Sequence, residues 1–142
     1  MKDSLKPGIR YTHTYPVPSD KTVPALYREA PELQEMPEVF ATAFWIGFME
    51  WACVKAIEPH LDWPEEMTVG THVDVSHEAA TPPGMTVSVE VELIEVSGRK
   101  LVFTIEGHDG EDVIGRGRHE RFVINRDKFN AKVSEKGARA AS

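Results

Sequence analysis

Thr42 and Glu50 are almost the only polar side chains in the apolar stretch from Val39 to Val54. A carboxylate enclosed by apolar side chains costs folding free energy unless it is paired, hydrated or neutralised. Folding alone gives no reason to keep an acid there. We therefore interpret Glu50 as a group that does chemistry, either as a nucleophile or as a general base for water.

The position of Thr42 relative to Glu50 suits a shared cavity. Thr42 and Glu50 are eight residues apart in the sequence. On an α-helix this spacing places them about 80° apart around the axis and about 12 Å apart along it. Thr42 stands near the predicted helix start, where free N–H groups and the positive dipole end stabilise an oxyanion. A threonine at that position is more often a cap or a hydroxyl bonded back to the helix. The residue pattern alone leaves these roles open.

His77 ends an alternating segment that begins at Gly70. A lone histidine at a strand end is more often a surface or capping residue than a catalytic one. A metal site made of His72, Asp74 and His77 is rejected, because residues five apart on a strand point to opposite faces. The other histidines show no ligand spacing. We expect no metal and no other cofactor.

The composition is that of one globular domain: 142 residues, 41% hydrophobic and 27% charged. The single cysteine, Cys53, excludes an internal disulfide, and without basic neighbours it is expected to be an inert core thiol. No apolar run is long enough to span a bilayer, and the N-terminus has no signal-peptide core. We expect a cytoplasmic protein without a membrane partner.

The charge is unevenly distributed along the chain. The net charge of −7 argues against a nucleic-acid partner. Residues 1–98 hold 6 Lys/Arg and 16 Asp/Glu, whereas residues 99–142 hold 10 and 7. The basic final third is therefore able to receive a polyanionic small molecule. Four of its arginines lie in or beside the last predicted strand: Arg116, Arg118, Arg121 and Arg126.

Apolar periodicity predicts one long helix and five strands. The proline-broken segment 24–37 fits a short helical flap over a pocket and fits a packed surface loop equally well. Gly115 and Gly117 fall in the last strand and indicate a bulge or a close backbone approach. The predicted strands and helix are Arg10–Val17, Val39–Glu58, a strand containing Val73–Val75, Val87–Leu93, Leu101–Ile105 and Ile114–Ile124.

One long helix that is apolar all round needs a sheet curled about it. This order of elements predicts an α+β hot-dog fold, an antiparallel sheet wrapped around a central helix. The domain is expected to occupy residues 1–142, with a frayed tail from about residue 130. A single such sheet is thin, so we expect a homodimer as the minimum unit.

Six separated blocks of the chain carry a family resemblance: Pro37–Thr42, Met49–Val54, Ala79–Gly84, His108–Gly110, His119–Arg121 and Lys128–Val133. Together they resemble the fluoroacetyl-CoA thioesterases, which are single-domain hot-dog thioesterases. The similarity runs over nearly the whole chain.

The resemblance implies a dimeric enzyme that hydrolyses a short acyl-CoA thioester to a carboxylate and free coenzyme A. The catalytic residues of that family fall on Thr42, Glu50 and His77. Its substrate-contacting glycine and arginine fall on Gly70 and Arg121. These assignments come from the resemblance, and the spacing of the residues does not establish them.

Met36 is the one departure that matters, because the family has a lid phenylalanine there that helps to select the fluorinated substrate. Methionine is softer and fills a gap without defining its shape. The alternative function is therefore a general short-chain acyl-CoA thioesterase without fluorine selectivity. Other candidates are a hot-dog hydratase, a non-catalytic acyl-CoA-binding protein and a protein that sequesters a small toxin.

Overall fold

The computed structural model describes all residues from 1 to 142. Its five strands form one antiparallel sheet in the order β1-β3-β4-β5-β2, and one long helix packs against this sheet. This is the predicted hot-dog architecture. The elements are β1 Arg10–Pro16, α1 Pro31–Gln34, α2 Thr42–Ile57, β2 Glu66–Val75, β3 Thr86–Ser97, β4 Lys100–His108, β5 Val113–Asn125 and α3 Arg126–Ala141.

The core lies between α2 and the inner face of the sheet. Alternate residues of β3, from Val87 to Leu93, are fully buried there, as the period-two pattern predicts. Trp45, Met49 and Cys53 of α2 are fully buried in the same cluster. Burial raises the pKa of the Cys53 thiol, which agrees with the prediction of an inert core cysteine.

Helix α2 begins three residues later than predicted. Phe40 forms an isolated β-bridge with Thr22, and its N–H donates to the Thr81 carbonyl, so the chain is still extended there. Ala41 is the N-cap, and the helix starts at Thr42. The helix is apolar all round but is not buried on every side. The sheet covers one face of the helix and leaves the opposite face, including Trp51, exposed.

Short helical turns occupy the proline-rich segment that precedes α2. The 3₁₀ turn Val23–Ala25 and the single turn of α1 fall in this segment, and a further 3₁₀ turn, Ser19–Lys21, precedes it. The Gln34 side chain donates to the Pro24 and Tyr27 carbonyls at 2.8 and 3.2 Å, which folds the segment back on itself. The helical form of the prediction therefore matches the structure.

The prediction of a frayed tail from about residue 130 is wrong, because α3 continues to Ala141. The Asn125 side chain caps this helix by accepting from the Lys128 N–H at 3.0 Å. Lysine, alanine, glutamate and arginine, which are frequent in α3, favour helix even in solvent. All of α3 beyond residue 126 is exposed, which explains its polar composition.

Strand β2 forms one edge of the sheet. It pairs only with β5, and residues 70–74 are exposed. A β-bulge at Thr71 interrupts its register between Gly70 and His72.

None of the helices has the length and apolar character needed to cross a membrane.

Candidate active site

Thr42 and His77 lie together at the start of α2. The Thr42 hydroxyl Oγ1 is 2.7 Å from Nδ1 of His77, although the two residues are 35 positions apart. Thr42 is the first helical residue, and no side chain caps the helix N-terminus. The free N–H groups of this first turn therefore point towards the same region as the hydroxyl. The hydroxyl serves neither as the helix cap nor as a back-bonded group.

The segment that carries His77 is fixed from both sides. The backbone N–H groups of Ser76 and Glu78 donate to carbonyls of β5. On the helix side, the buried indole Nε1 of Trp45 donates to the Ser76 carbonyl at 3.0 Å. A side chain at Gly115 would clash with this indole and with the Ser76 carbonyl. The predicted close backbone approach in this strand is confirmed at Gly115.

His77 has one ring nitrogen left for a ligand. Its Nε2 is buried and has no hydrogen-bond partner in the protein. Burial lowers the pKa of His77, so the neutral ring is favoured at neutral pH. A cavity of about 280 Å³ opens beside it. The lining residues are Val23, Val39, Phe40, Thr42, His77, Glu78, Ala79 and Ala80.

Glu50 belongs to a second cluster further along α2. Its Oε2 accepts from Nη1 of Arg121 at 2.7 Å, and its side chain is 36% exposed. Gly70 of β2 lies against this pair, because a Cβ built on it would stand 2.7 Å from Oε2. Arg121 is buried, in contrast to the arginines on the outer face of β5. The expectation of an isolated acid surrounded by apolar groups is therefore wrong.

The structure brings the predicted site residues together as two groups. Thr42 and His77 form one, and Glu50, Gly70 and Arg121 form the other. Two positions eight residues apart on a helix are separated by about 12 Å along its axis. Glu50 does not line the cavity beside Thr42. Within one chain, the expectation that both residues border the same cavity is not met.

A family model for fluoroacetyl-CoA-specific thioesterases matches residues 17–127, which include both groups. The chain belongs to the fluoroacetyl-CoA-specific thioesterase family. It is also 55% identical, over 136 residues, to the fluoroacetyl-CoA thioesterase of Streptantibioticus cattleyicolor, which covers 96% of this chain and 97% of that relative.

Solved structures of related thioesterases have the same fold. One fluoroacetyl-CoA thioesterase structure superposes with a TM-score of 0.91 at 54% identity, covering 94% of this chain and 98% of the other. A thioesterase superfamily member from Thermus thermophilus superposes with a TM-score of 0.85 at 26% identity, covering 98% of each chain.

Met36 does not join either group of the family's site residues. Its side chain is 47% exposed, and it follows α1 in the proline-rich segment. Its backbone N–H donates to the Leu33 carbonyl at 3.2 Å, which closes the last short turn. The residue at the position where the resemblance implies a lid is therefore a half-exposed side chain.

Three residues around these groups were not singled out from the sequence. Trp45 holds the His77 segment, and Thr68 and His119 hold Arg121. Trp45 looks like any core aromatic residue on an apolar helix. The available signal for His119 was its spacing: it stands two residues before Arg121 on one strand, so both side chains share a face.

Proposed function

We propose that this protein hydrolyses fluoroacetyl-CoA to fluoroacetate and free coenzyme A. Its family and its 55% identity to a fluoroacetyl-CoA thioesterase support this proposal. Variants of a related fluoroacetyl-CoA thioesterase have been solved with fluoroacetate and CoA and with acetyl-CoA. The structural observation that carries the proposal is the Thr42–His77 hydrogen bond at an uncapped helix start beside a cavity.

The helix start suits the thioester carbonyl. Free N–H groups of the first turn are donors that stabilise a developing oxyanion, and the Thr42 hydroxyl orients His77. In the tautomer in which Thr42 donates to Nδ1 of His77, the single ring proton is on the unpartnered Nε2. When the carbon–sulfur bond breaks, the Nε2 N–H donates a hydrogen bond to the departing thiolate, and the attacking water supplies the proton of the thiol product.

Glu50 carries out the attack on the thioester carbon. Arg121 holds Oε2, which leaves Oε1 to act on the thioester carbon directly or through a water molecule. In direct attack the carbon–sulfur bond breaks to give an acyl–Glu50 anhydride, which a water molecule then hydrolyses. In the general-base version Glu50 takes a proton from the water molecule that attacks the thioester carbon. An acyl adduct on Glu50, trapped by rapid quenching and found by mass spectrometry, would identify direct attack.

A homodimer paired through β2 would bring the two separated groups of site residues together. The exposed edge of β2 from Gly70 to Asp74 has free backbone groups that suit pairing with a second copy. Antiparallel pairing about a twofold axis reverses one α2 relative to the other. The Thr42 end of one helix then lies beside the Glu50 region of its neighbour, and each site draws on both chains.

Mixing two inactive variants tests this shared site. Thr42→Ala and Glu50→Gln are each expected to be inactive as homodimers. After subunit exchange at equal concentrations, half of the dimers are mixed and each has one intact site, so about a quarter of the wild-type activity should return. Activity is measured as thiol release. If mixed dimers form but no activity returns, both groups act within one chain.

The substrate assignment is tested by steady-state rates on acetyl-, fluoroacetyl-, propionyl- and longer acyl-CoA. We expect fluoroacetyl-CoA to have the highest kcat/KM, by at least ~10-fold over acetyl-CoA, which is about 1.4 kcal/mol of discrimination. Equal kcat/KM values for fluoroacetyl-CoA and acetyl-CoA would indicate a general short-chain thioesterase. Binding of every thioester without turnover would instead indicate an acyl-CoA-binding protein.

The Met36→Phe variant is assayed on the same panel of substrates. A phenylalanine at the lid position presents a stiffer surface, so we expect the ratio of fluoroacetyl- to acetyl-CoA kcat/KM to rise by about threefold. The melting temperature should change little, because the Met36 side chain is half exposed. An unchanged ratio would show that Met36 does not contribute to substrate selectivity.

A further inference from the structure

His119 is a fully buried histidine behind the Glu50–Arg121 pair. It lies on the inner face of β5 with 0% exposure. Its Nδ1 is 2.7 Å from the carbonyl oxygen of His72, and its Nε2 is 3.0 Å from Nη1 of Arg121. Both ring nitrogens are therefore engaged, and neither partner belongs to the first group of site residues.

These two partners determine where the ring proton is. A carbonyl oxygen only accepts, so Nδ1 of His119 carries the hydrogen. A guanidinium only donates, so Nε2 presents its lone pair to Arg121. The ring is therefore neutral. Burial lowers the pKa of His119 and the Arg121 charge lowers it further, whereas the His72 hydrogen bond acts in the opposite direction.

His119 accepts one of the four hydrogen bonds that the Arg121 guanidinium donates. Nε and Nη2 of Arg121 donate to the hydroxyl and carbonyl of Thr68 at 2.8 and 3.0 Å. The remaining arm, Nη1, has two hydrogens. One goes to Oε2 of Glu50 at 2.7 Å, and the other goes to Nε2 of His119.

We propose that His119 is a positioning residue for the hydrolysis, and that its Nε2 lone pair orients Nη1 of Arg121 so that Glu50 is held by one oxygen only. This inference rests on the proposed function. Without the acceptor on His119, the second hydrogen of Nη1 has no buried partner. Arg121 would then reorient towards Glu50 and occupy the oxygen that the reaction needs.

Protonation of His119 would break its hydrogen bond with Nη1 of Arg121. It would place an N–H on Nε2 facing the N–H of Nη1, two donors at 3.0 Å. Oε2 of Glu50, 3.9 Å from Nε2, would then compete for the new proton. The titratable and charged groups facing this ring or its partners are Glu50 and Cys53 on α2, His72 on β2 and Arg121 on β5. We therefore expect one ionisation in the acid limb of kcat to belong to His119.

His119→Gln and His119→Leu form the test pair. The glutamine amide oxygen reaches the place of Nε2 and accepts from Arg121, whereas leucine fills similar space without an acceptor. We expect His119→Leu to lose more than ~30-fold in kcat with a smaller change in KM, and His119→Gln to lose no more than about threefold. In His119→Gln the acid limb of kcat should lose one ionisation. A purely structural role would alter the melting temperature and leave the pH profile unchanged.

Nitrogen-15 NMR of the wild-type histidine rings tests the tautomer independently of turnover and of how the variants fold. His119 should carry its proton on Nδ1 at neutral pH. A proton on Nε2, or folded Leu and Gln variants with equal kcat, would overturn the positioning role. Absence of acyl-CoA turnover by the wild type would instead reject the proposed function, and the tautomer would still be measured.

Discussion

Replacement of Glu50 by glutamine is expected to lower kcat/KM for fluoroacetyl-CoA by about 10³-fold or more. Glutamine has the same shape and still accepts a hydrogen bond from Arg121. Its amide neither attacks a thioester nor removes a proton from water. Arg121 is buried and would lose its negative partner, so we expect a loss of about 1–3 kcal/mol in the free energy of unfolding. Thiol-release kinetics and urea unfolding measure the two effects separately.

Glu120→Gln is the matched control for this substitution. Glu120 lies one residue from Arg121 on β5 but points to the other face, where its carboxylate pairs with Lys100 at 3.1 Å. A surface pair of this kind contributes little, so activity and stability should stay near the wild-type values. If folded Glu50→Gln protein cleaved substrate at the wild-type rate, Glu50 would be excluded as the reacting carboxylate.

The fold is predictable from the sequence where periodicity and burial coincide. The inward residues of β3 alternate strictly, and α2 carries a long apolar run, so each element is recognisable locally. The predicted helix start at Val39 was wrong because a β-bridge from Phe40 to Thr22 competes for the backbone. A contact between distant segments leaves no periodic signal in either one.

The surroundings of Glu50 illustrate what residue patterns do not contain. Its pairing with Arg121 joins residues 71 positions apart and depends on the register that places Gly70 opposite Arg121. A shift of one residue in β5 would turn Arg121 to the outer face. Alternation identifies the faces of a strand, whereas the register is set by turns and bulges. The apolar run therefore indicated an unusual acid without indicating its partner.

The polar C-terminal segment shows the opposite error. A low apolar content leads to the prediction of a frayed tail, although the Asn125 side chain caps α3 by accepting from the Lys128 N–H. Helix propensity and capping are local, so this helix was predictable in principle. Polarity indicates exposure, and exposure alone does not decide between helix and coil.

Gly70→Ala is expected to lower kcat/KM by about 10²-fold, because a misplacement of about 1 Å at a reacting group costs that much. The new Cβ would stand 2.7 Å from Oε2 of Glu50 and 3.3 Å from both Nη1 of Arg121 and Cε1 of His119. Gly70 does not have a positive φ, so alanine fits the backbone without strain. The loss should therefore come from a shifted carboxylate, which a crystal structure of the variant would show.

Gly47→Ala distinguishes this effect from a general response to removing a glycine. A Cβ at Gly47 meets nothing within 4 Å, and alanine inside helix α2 should raise stability by about 1 kcal/mol with little change in kcat/KM. Unfolding and thiol-release assays on both variants give the comparison. If Gly70→Ala kept the wild-type kcat/KM with Glu50 displaced, the reaction would not depend on the Glu50–Arg121 geometry. The absence of a side chain at Gly70 would then serve packing of the β2 edge and not chemistry.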